Sequence, residues 1–237
     1  MANAAAAKVA LEELLRQRRL VSEGPPLRGL GRCSPLSTGH AELDARLGGG
    51  LPRGQLSEAF GPVSSGRTGM SLAVAARVTS TGGLAAWVDP LDGLDPASAA
   101  AAGIHLDRLL WLRGARGVRA LPEATQAVAT LLQSGIFDLV VLDLAGASDA
   151  ELQRLPGSTW IRLQRAVESK EAALLLVAAR HVAKGPLGTA LSFDPAAARF
   201  EGAGPGRLLV SLRAAVRPGA LALRGEAIEL TAVPPAR

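Results

Sequence analysis

The chain has almost nothing to cross-link, little to stack and nothing to span a bilayer. Its 237 residues hold one cysteine, Cys33, so no disulfide can close within the chain, and a lone thiol fits a reducing compartment. Tyrosine is absent; Trp87, Trp111, Trp160 and four phenylalanines bring the aromatic share to only 3%. A core of this kind has to be built from Ala, Leu and Val, which suits a sheet covered by helices on both faces. No apolar run reaches the roughly 18 residues that a spanning helix needs. The Ala-rich start is followed by Glu12, Glu13 and several arginines, which reads as a helix and not as a secretory signal. A bacterial cytoplasmic setting, near the nucleoid, is the expectation.

What is present suffices for one substantial α/β domain and not for two. Hydrophobic residues at 48% against 20% charged give material for a proper core and argue against disorder. The net charge of +5 permits an anionic partner, nucleic acid or an acidic protein surface. The chain is also rich in Ala and Gly, so its arginine count taken by itself is weak evidence for DNA binding.

Two regions are expected: an amphipathic helix and linker over 1–34, and a core over 35–237. In the first, Leu11, Leu14 and Leu15 share a side and Glu12 stands four residues before Arg16. The breaker run Ser22-Glu23-Gly24-Pro25-Pro26 ends it. Leu11, Leu14, Arg16, Arg18 and Arg19 form a candidate partner-contact surface; a helix folded back on its own core explains the same pattern, and both readings stay open. In the second region, strands are expected over 55–60, 84–88, 109–112, 139–142 and 173–178. Helices are expected over 67–80, from about 96, over 121–134 and over 159–169. Near-continuous apolar strands between helices predict a doubly wound, mostly parallel sheet. Beyond 190, short strands at 208–212 and 227–230 are expected to add antiparallel pairing at one edge.

The stretch Gly61-Pro62-Val63-Ser64-Ser65-Gly66-Arg67-Thr68 follows a predicted strand and opens a predicted helix, the context a phosphate loop requires. Backbone N–H groups of such a loop and of the helix start converge on a phosphate. Gly61, Ser64, Ser65, Gly66 and Thr68 match the pattern, but Arg67 stands where it wants lysine. A planar fork is larger than an ammonium and differently shaped, so the match to transferring phosphate charge is poor. A glycine-rich turn with no ligand is the plainer reading. Leu139-Val140-Val141-Leu142-Asp143, an apolar strand ending in an acid, has the form of a strand whose Asp orients Mg²⁺.

Taken in order, Leu36-Ser37-Thr38-Gly39, Leu43-Asp44, Leu47 through Gln55, Glu58, Gly61-Pro62, Trp87-Val88-Asp89, Leu94-Asp95-Pro96 and the Asp143 strand resemble the RecA recombinase family over about residues 35–215. The resemblance implies a RecA-like core: a twisted, mostly parallel central sheet flanked by helices. It also implies losses. The family's catalytic glutamate falls at Leu91, which can neither take a proton nor orient water; only Asp92, by a backbone shift, could stand in. The family's Asn-Gln pair falls in Ala178-Ala179-Arg180-His181. The segments matching the two DNA loops, 144–158 and 181–190, look shortened, and the family's separate C-terminal domain has no counterpart.

A RecA-like chain of this size with a degraded loop is similar to the ImuA family, SulA- and RecA-related accessory proteins of SOS mutagenesis. That resemblance implies no catalytic residues, no required cofactor beyond weak ATP or Mg²⁺ binding, and protein partners: RecA itself, ImuB and an error-prone polymerase subunit. It implies a regulator of RecA filaments that supports translesion synthesis. Two alternatives stand beside it, a slow DNA-dependent ATPase and a SulA-like inhibitor of cell division.

The remaining candidates are weaker. His40, His105 and His181 show no metal-ligand spacing, and Ser64-Ser65 lacks the G-x-S-x-G turn of a nucleophile. Arg162 and Arg165 are three apart on one predicted helix face near Arg154 and Lys170; Arg180 and Lys184 lie with Arg199 and Arg207 in the region of the second DNA loop. Arg162, Arg165, Arg180 and Lys184 are candidate phosphate contacts; a solvated basic surface explains them equally. With only Trp160, Phe193 and Phe200 nearby, strong single-strand stacking is not expected.

Overall fold

The computed structural model describes residues 34–114, 117–168, 170–183, 188–195, 197–204, 208–218 and 228–232. The expected helix over 4–20 with Leu11, Leu14, Arg16, Arg18 and Arg19 lies outside them, as do Cys33, Lys184 and Arg207.

Along the described chain come α1 (Ala41–Arg46), β1 (Leu56–Phe60), α2 (Arg67–Ser80), β2 (Ala85–Asp89) and α3 (Pro96–Ala101). A 3₁₀ turn at Leu106–Arg108 leads into β3 (Leu109–Arg113), followed by α4 (Ala120–Ser134), β4 (Leu139–Leu144), α5 (Asp149–Gln153) and α6 (Ser158–Val167). The last strands are β5 (Ala173–Ala178), β6 (Ala190–Phe193), β7 (Ala197–Glu201), β8 (Leu208–Pro218) and β9 (Ile228–Ala232).

Every residue of β2, β4 and β5 is buried, which is why these strands read as unbroken apolar runs. Their side chains divide by parity between two cores. Leu139 and Val141 of β4 join Trp87, Leu175 and Val177 beneath α1, α2 and α3. Val140, Leu142 and Leu144 face the other way, among Val128, Leu131, Trp160 and Leu163 of α4 and α6. Small residues let helices approach: α2 seats Val74, Ala75 and Val78 with next to no exposure.

The parallel part of the sheet runs β3-β2-β4-β5-β1-β6, as the alternation of strands and helices predicted. Strand β8 pairs antiparallel with β6 and β7 in succession and, on its other edge, with β9. The expected edge strands are thus present, but longer than their sequence signals. Strand 208–212 extends to 218, and β6 joins the parallel sheet although its four residues lie among turn formers. Main-chain bonds explain β6: Glu58 N–H donates to Thr189 O at 2.8 Å and Gly188 N–H to Leu56 O at 2.8 Å. In segment 144–158, Ser148 and Glu151 exchange side-chain and backbone bonds as a capping box and nucleate α5, a helix the apolar pattern missed. The helix expected over 159–169 is α6, ending at Val167.

Two polar residues set the geometry around the sheet ends. Arg53 donates to Ser34 O, to Asp138 Oδ1 at 3.1 Å and to Glu171 O at 2.5 Å, gathering the chain just ahead of β1, β4 and β5. Glu58, in the middle of β1 and with no exposed surface, accepts from Val182 N–H at 2.8 Å and Ala183 N–H at 3.4 Å through Oε1. Its Oε2 meets His181 Nδ1 at 2.5 Å, and the imidazole lies 5.2 Å from the Phe60 ring. A strand-centre carboxylate therefore holds the root of the segment after β5.

Burial pushes the Glu58 carboxyl above its ordinary 4.5, while the Val182 amide and the His181 imidazole pull it partway back. The folded state then holds the proton more tightly than the unfolded chain. This contribution to stability is complete below about 4.5 and fades as pH rises through the folded value. Glu58→Gln keeps an acceptor for Val182 and removes the buried charge. The variant is expected to lose less stability than the parent between about pH 5 and about pH 8 in urea unfolding; parallel pH profiles would contradict this. Glu58→Ala, which leaves the Val182 and Ala183 amides unpaired, is expected to cost about 1–3 kcal/mol near pH 5 and less as pH rises.

Candidate functional site

The C-terminal ends of the parallel strands are where an open α/β sheet places its ligand. Four connections meet there: 61–66 after β1, 90–94 after β2, 145–148 after β4, and 179–183 after β5.

The loop after β1 has the backbone of a phosphate cradle. A Cβ on Gly61 would come within 2.4 Å of Phe193 O, so only glycine fits against β6. Ser64 (φ 58°) and Gly66 (φ 92°) both take the left-handed conformation ahead of α2, and Ser65 N–H donates back to Pro62 O at 3.3 Å. Ser65 is buried and its Oγ has no partner, whereas Ser64 and Thr68 are exposed. The segment called for by sequence is thus a formed loop at a helix start, as expected.

The chain's own side chain lies against this loop. Arg67 is only 6% exposed. One terminal nitrogen donates to Gly61 O at 2.6 Å and to Pro62 O; the other reaches Ala145 O, 3.4 Å away in the connection after β4. Desolvation lowers the guanidinium's pKa, with Asp143 pulling the other way. Asp143, at the penultimate position of β4, is buried; its Oδ1 accepts from Ala145 N–H at 2.9 Å. Burial raises the Asp143 carboxyl and repulsion from Asp89 adds to it, against the pull of the Ala145 amide and Arg67. The two positions singled out as nucleotide-binding are therefore brought together, but as mutual electrostatic neighbours around Ala145.

Asp89, at the end of β2 and almost fully buried, is occupied in holding its own turn. It accepts from Gly93 N–H and Leu94 N–H, both at 2.9 Å, and from Trp111 Nε1–H at 3.2 Å. Leu91, at the position of the family's glutamate, packs against the α4–α6 core; a Cβ on Gly146 would lie 3.5 Å from its Cδ1. The fallback acid, Asp92, does not turn toward the loop. At φ 58° it forms a bidentate pair with Arg113, both bonds 2.7 Å, and Arg113 stacks over Trp111 at 4.8 Å. That pairing, unseen in the linear spacing, corrects the idea of Asp92 as a substitute base.

The candidate basic contacts separate. Arg162 and Arg165 share the exposed face of α6, opposite buried Trp160, Leu163 and Val167. Arg180 instead donates to Asp149 Oδ1 at 2.6 Å, joining the two shortened segments, and Arg199 pairs with Glu201. Among the described residues no three His, Cys, Asp or Glu side chains gather as a metal site. No helix among them is long and apolar enough to cross a membrane. Arg113, Trp111, Ala145 and the role of Glu58 escaped the sequence reading; a glutamate inside an apolar strand was the one available signal.

With this geometry in hand, comparison with known proteins is informative. The family described as RecA N-terminal domain matches residues 30–177. The RecA protein of Rippkaea orientalis is 39% identical over 141 residues, 59% of this chain and 39% of that protein. RecA of Symbiobacterium thermophilum is 41% identical over 138 residues, 57% and 38% of the two chains. The chain thus spans about two fifths of the length of these curated relatives. The crystal structure of the RadB recombinase superposes with a TM-score of 0.57 at 19% identity, covering 83% of this chain and 94% of that one, a likeness of fold. A shared fold, the loop after β1 and a match across most of the parallel sheet agree: the chain belongs to the RecA N-terminal domain family.

Proposed function

We propose that this chain is a RecA paralogue of ImuA type that does not hydrolyse nucleotide and acts by protein contact. It modulates RecA filaments and supports error-prone translesion synthesis with an ImuB-like partner and a polymerase subunit, in the cytoplasm of a bacterial cell. The observation that carries the reading is the pairing of a RecA-like sheet with a reaction site lacking a base. Leucine stands at position 91, Asp92 is committed to Arg113, and the loop's cation is turned onto its own carbonyls.

A protein of this shape can present RecA-like surfaces without a hydrolytic cycle. Strand β3 ends the parallel sheet among the described residues, with half-buried Leu110, Trp111 and Leu112. A cavity of about 150 Å³ lies beside it, lined by Val88, Pro90, Leu112, Arg113 and Ala120. An open strand edge next to an apolar recess is a surface to which a neighbouring subunit can add. The exposed arginines of α6 supply a sequence-indifferent phosphate contact at most.

Mixed with RecA in a strand-exchange assay, the protein is expected to change the yield in proportion to its concentration. Unchanged exchange at large molar excess removes the regulatory reading. A second reading, a slow DNA-dependent ATPase, is favoured by one fact: Gly61, Gly66, Thr68 and Asp143 all stand where the family pattern needs them. Phosphate release with single-stranded DNA and Mg²⁺ is expected to stay at background. Release above background that disappears in Asp143→Ala establishes the ATPase reading instead.

A further inference from the structure

One side chain bears on whether the family's nucleotide can enter the loop after β1. We infer that the Arg67 guanidinium is the resident occupant of the phosphate loop, a strut that takes the nucleotide's place and keeps it out. The inference deepens the proposal of a non-hydrolysing paralogue and rests on it only in taking this loop as the ancestral nucleotide site.

The strut spans the crevice that a ligand would enter. Strands β1 and β4 are not neighbours, since β5 lies between them in the sheet. Arg67 nevertheless bonds both connections: Gly61 O and Pro62 O after β1, and Ala145 O after β4. It therefore crosses the C-terminal end of β5, above Ala178, whose O accepts from Gly61 N–H at 3.3 Å. A lysine ammonium is a single point of charge on a flexible stem; only a fork has a second nitrogen to send to Ala145 while the first stays on the loop. Asp143 lies close enough for its charge to act on the guanidinium, although burial raises its carboxyl toward the neutral form. With Arg67 6% exposed, an incoming phosphate must displace it and break its bonds to three carbonyls, of which Pro62 O keeps the Ser65 N–H as a donor.

The closure leaves two groups unsatisfied: Arg67 Nε and Ser65 Oγ are buried without a partner. Buried groups without partners carry a desolvation cost that works against the closed form, so position 67 is where a substitution should alter occupancy. They also make inorganic phosphate a necessary probe beside the nucleotides.

The test uses the full chain and Arg67→Lys, titrated by calorimetry with MgATP, MgADP and inorganic phosphate. Amide hydrogen exchange over 61–68 and 143–147 is followed with and without each probe. If the guanidinium leaves the loop open in no more than about a tenth of molecules, removing the fork tightens apparent nucleotide affinity by roughly tenfold or more. The expected result is binding and loop protection in Arg67→Lys, with neither in the parent. Parent binding of any probe as tight as the variant's overturns the inference. So does a folded Arg67→Lys that binds no nucleotide, because the fork is then not the barrier. Should Arg67→Lys fail to fold, Arg67→Met carries the same comparison, and protection of 61–68 in the parent on adding MgATP is decisive against the strut by itself. Strand exchange with RecA reports separately on the regulatory proposal, so the two fail independently.

Discussion

A cation buried in a backbone shaped for an anion is the constraint around which this molecule is arranged. The loop keeps its demands: glycine against Phe193 at position 61, left-handed turns at Ser64 and Gly66, and a helix start at Arg67. Arg67 meets the loop from the carbonyl side, where Gly61, Pro62 and Ala145 accept its hydrogens. Bonds from a charged donor contribute about 1.5–3 kcal/mol each, against several kcal/mol for desolvating the ion. The two nearly cancel. What the arrangement supplies is position: it fixes two connections relative to each other where a bound ligand would otherwise do so.

The same solution recurs at each neighbouring strand end. Asp89 holds the turn after β2 through Gly93, Leu94 and Trp111. Asp143 holds the turn after β4 through Ala145, and Glu58 holds the segment after β5 through Val182 and Ala183. Acids that a catalytic site would aim at metal, water or phosphate are here bonded to the protein's own amides. Apart from the Trp111 indole bond, each bond satisfies a backbone donor at the sheet's end, where an unpaired amide costs about 1–3 kcal/mol. Held from within, these connections are fixed relative to one another by the protein's own hydrogen bonds.

The corrections share a cause. Asp92 is three residues from the end of β2, and linear spacing makes it a plausible acid; its partner Arg113 comes from the parallel strand alongside, brought close by the β2–β3 register. Sequence makes Arg180 a candidate phosphate contact, and its pairing with Asp149, thirty-one residues earlier, is invisible in linear order. Strand β6 is too short to announce itself and is defined by bonds to β1, more than a hundred residues away. Charge partners and short strands are long-range facts.

Sequence by itself determined the class of fold, because burial on both faces of a parallel sheet forces unbroken apolar strands, and helix periodicity between them is equally direct. It also determined the place of the loop, since glycines at 61 and 66 are demanded by local backbone geometry, and the absence of a base at 91, since leucine has no proton to move. Only the tertiary structure decided where the Arg67 fork goes, what Asp92 and Arg180 are bound to, and that Glu58 anchors the chain after β5. Those outcomes depend on which carbonyls, amides and charges the packed strands bring within about 3 Å of one another, a distance that residue order does not encode.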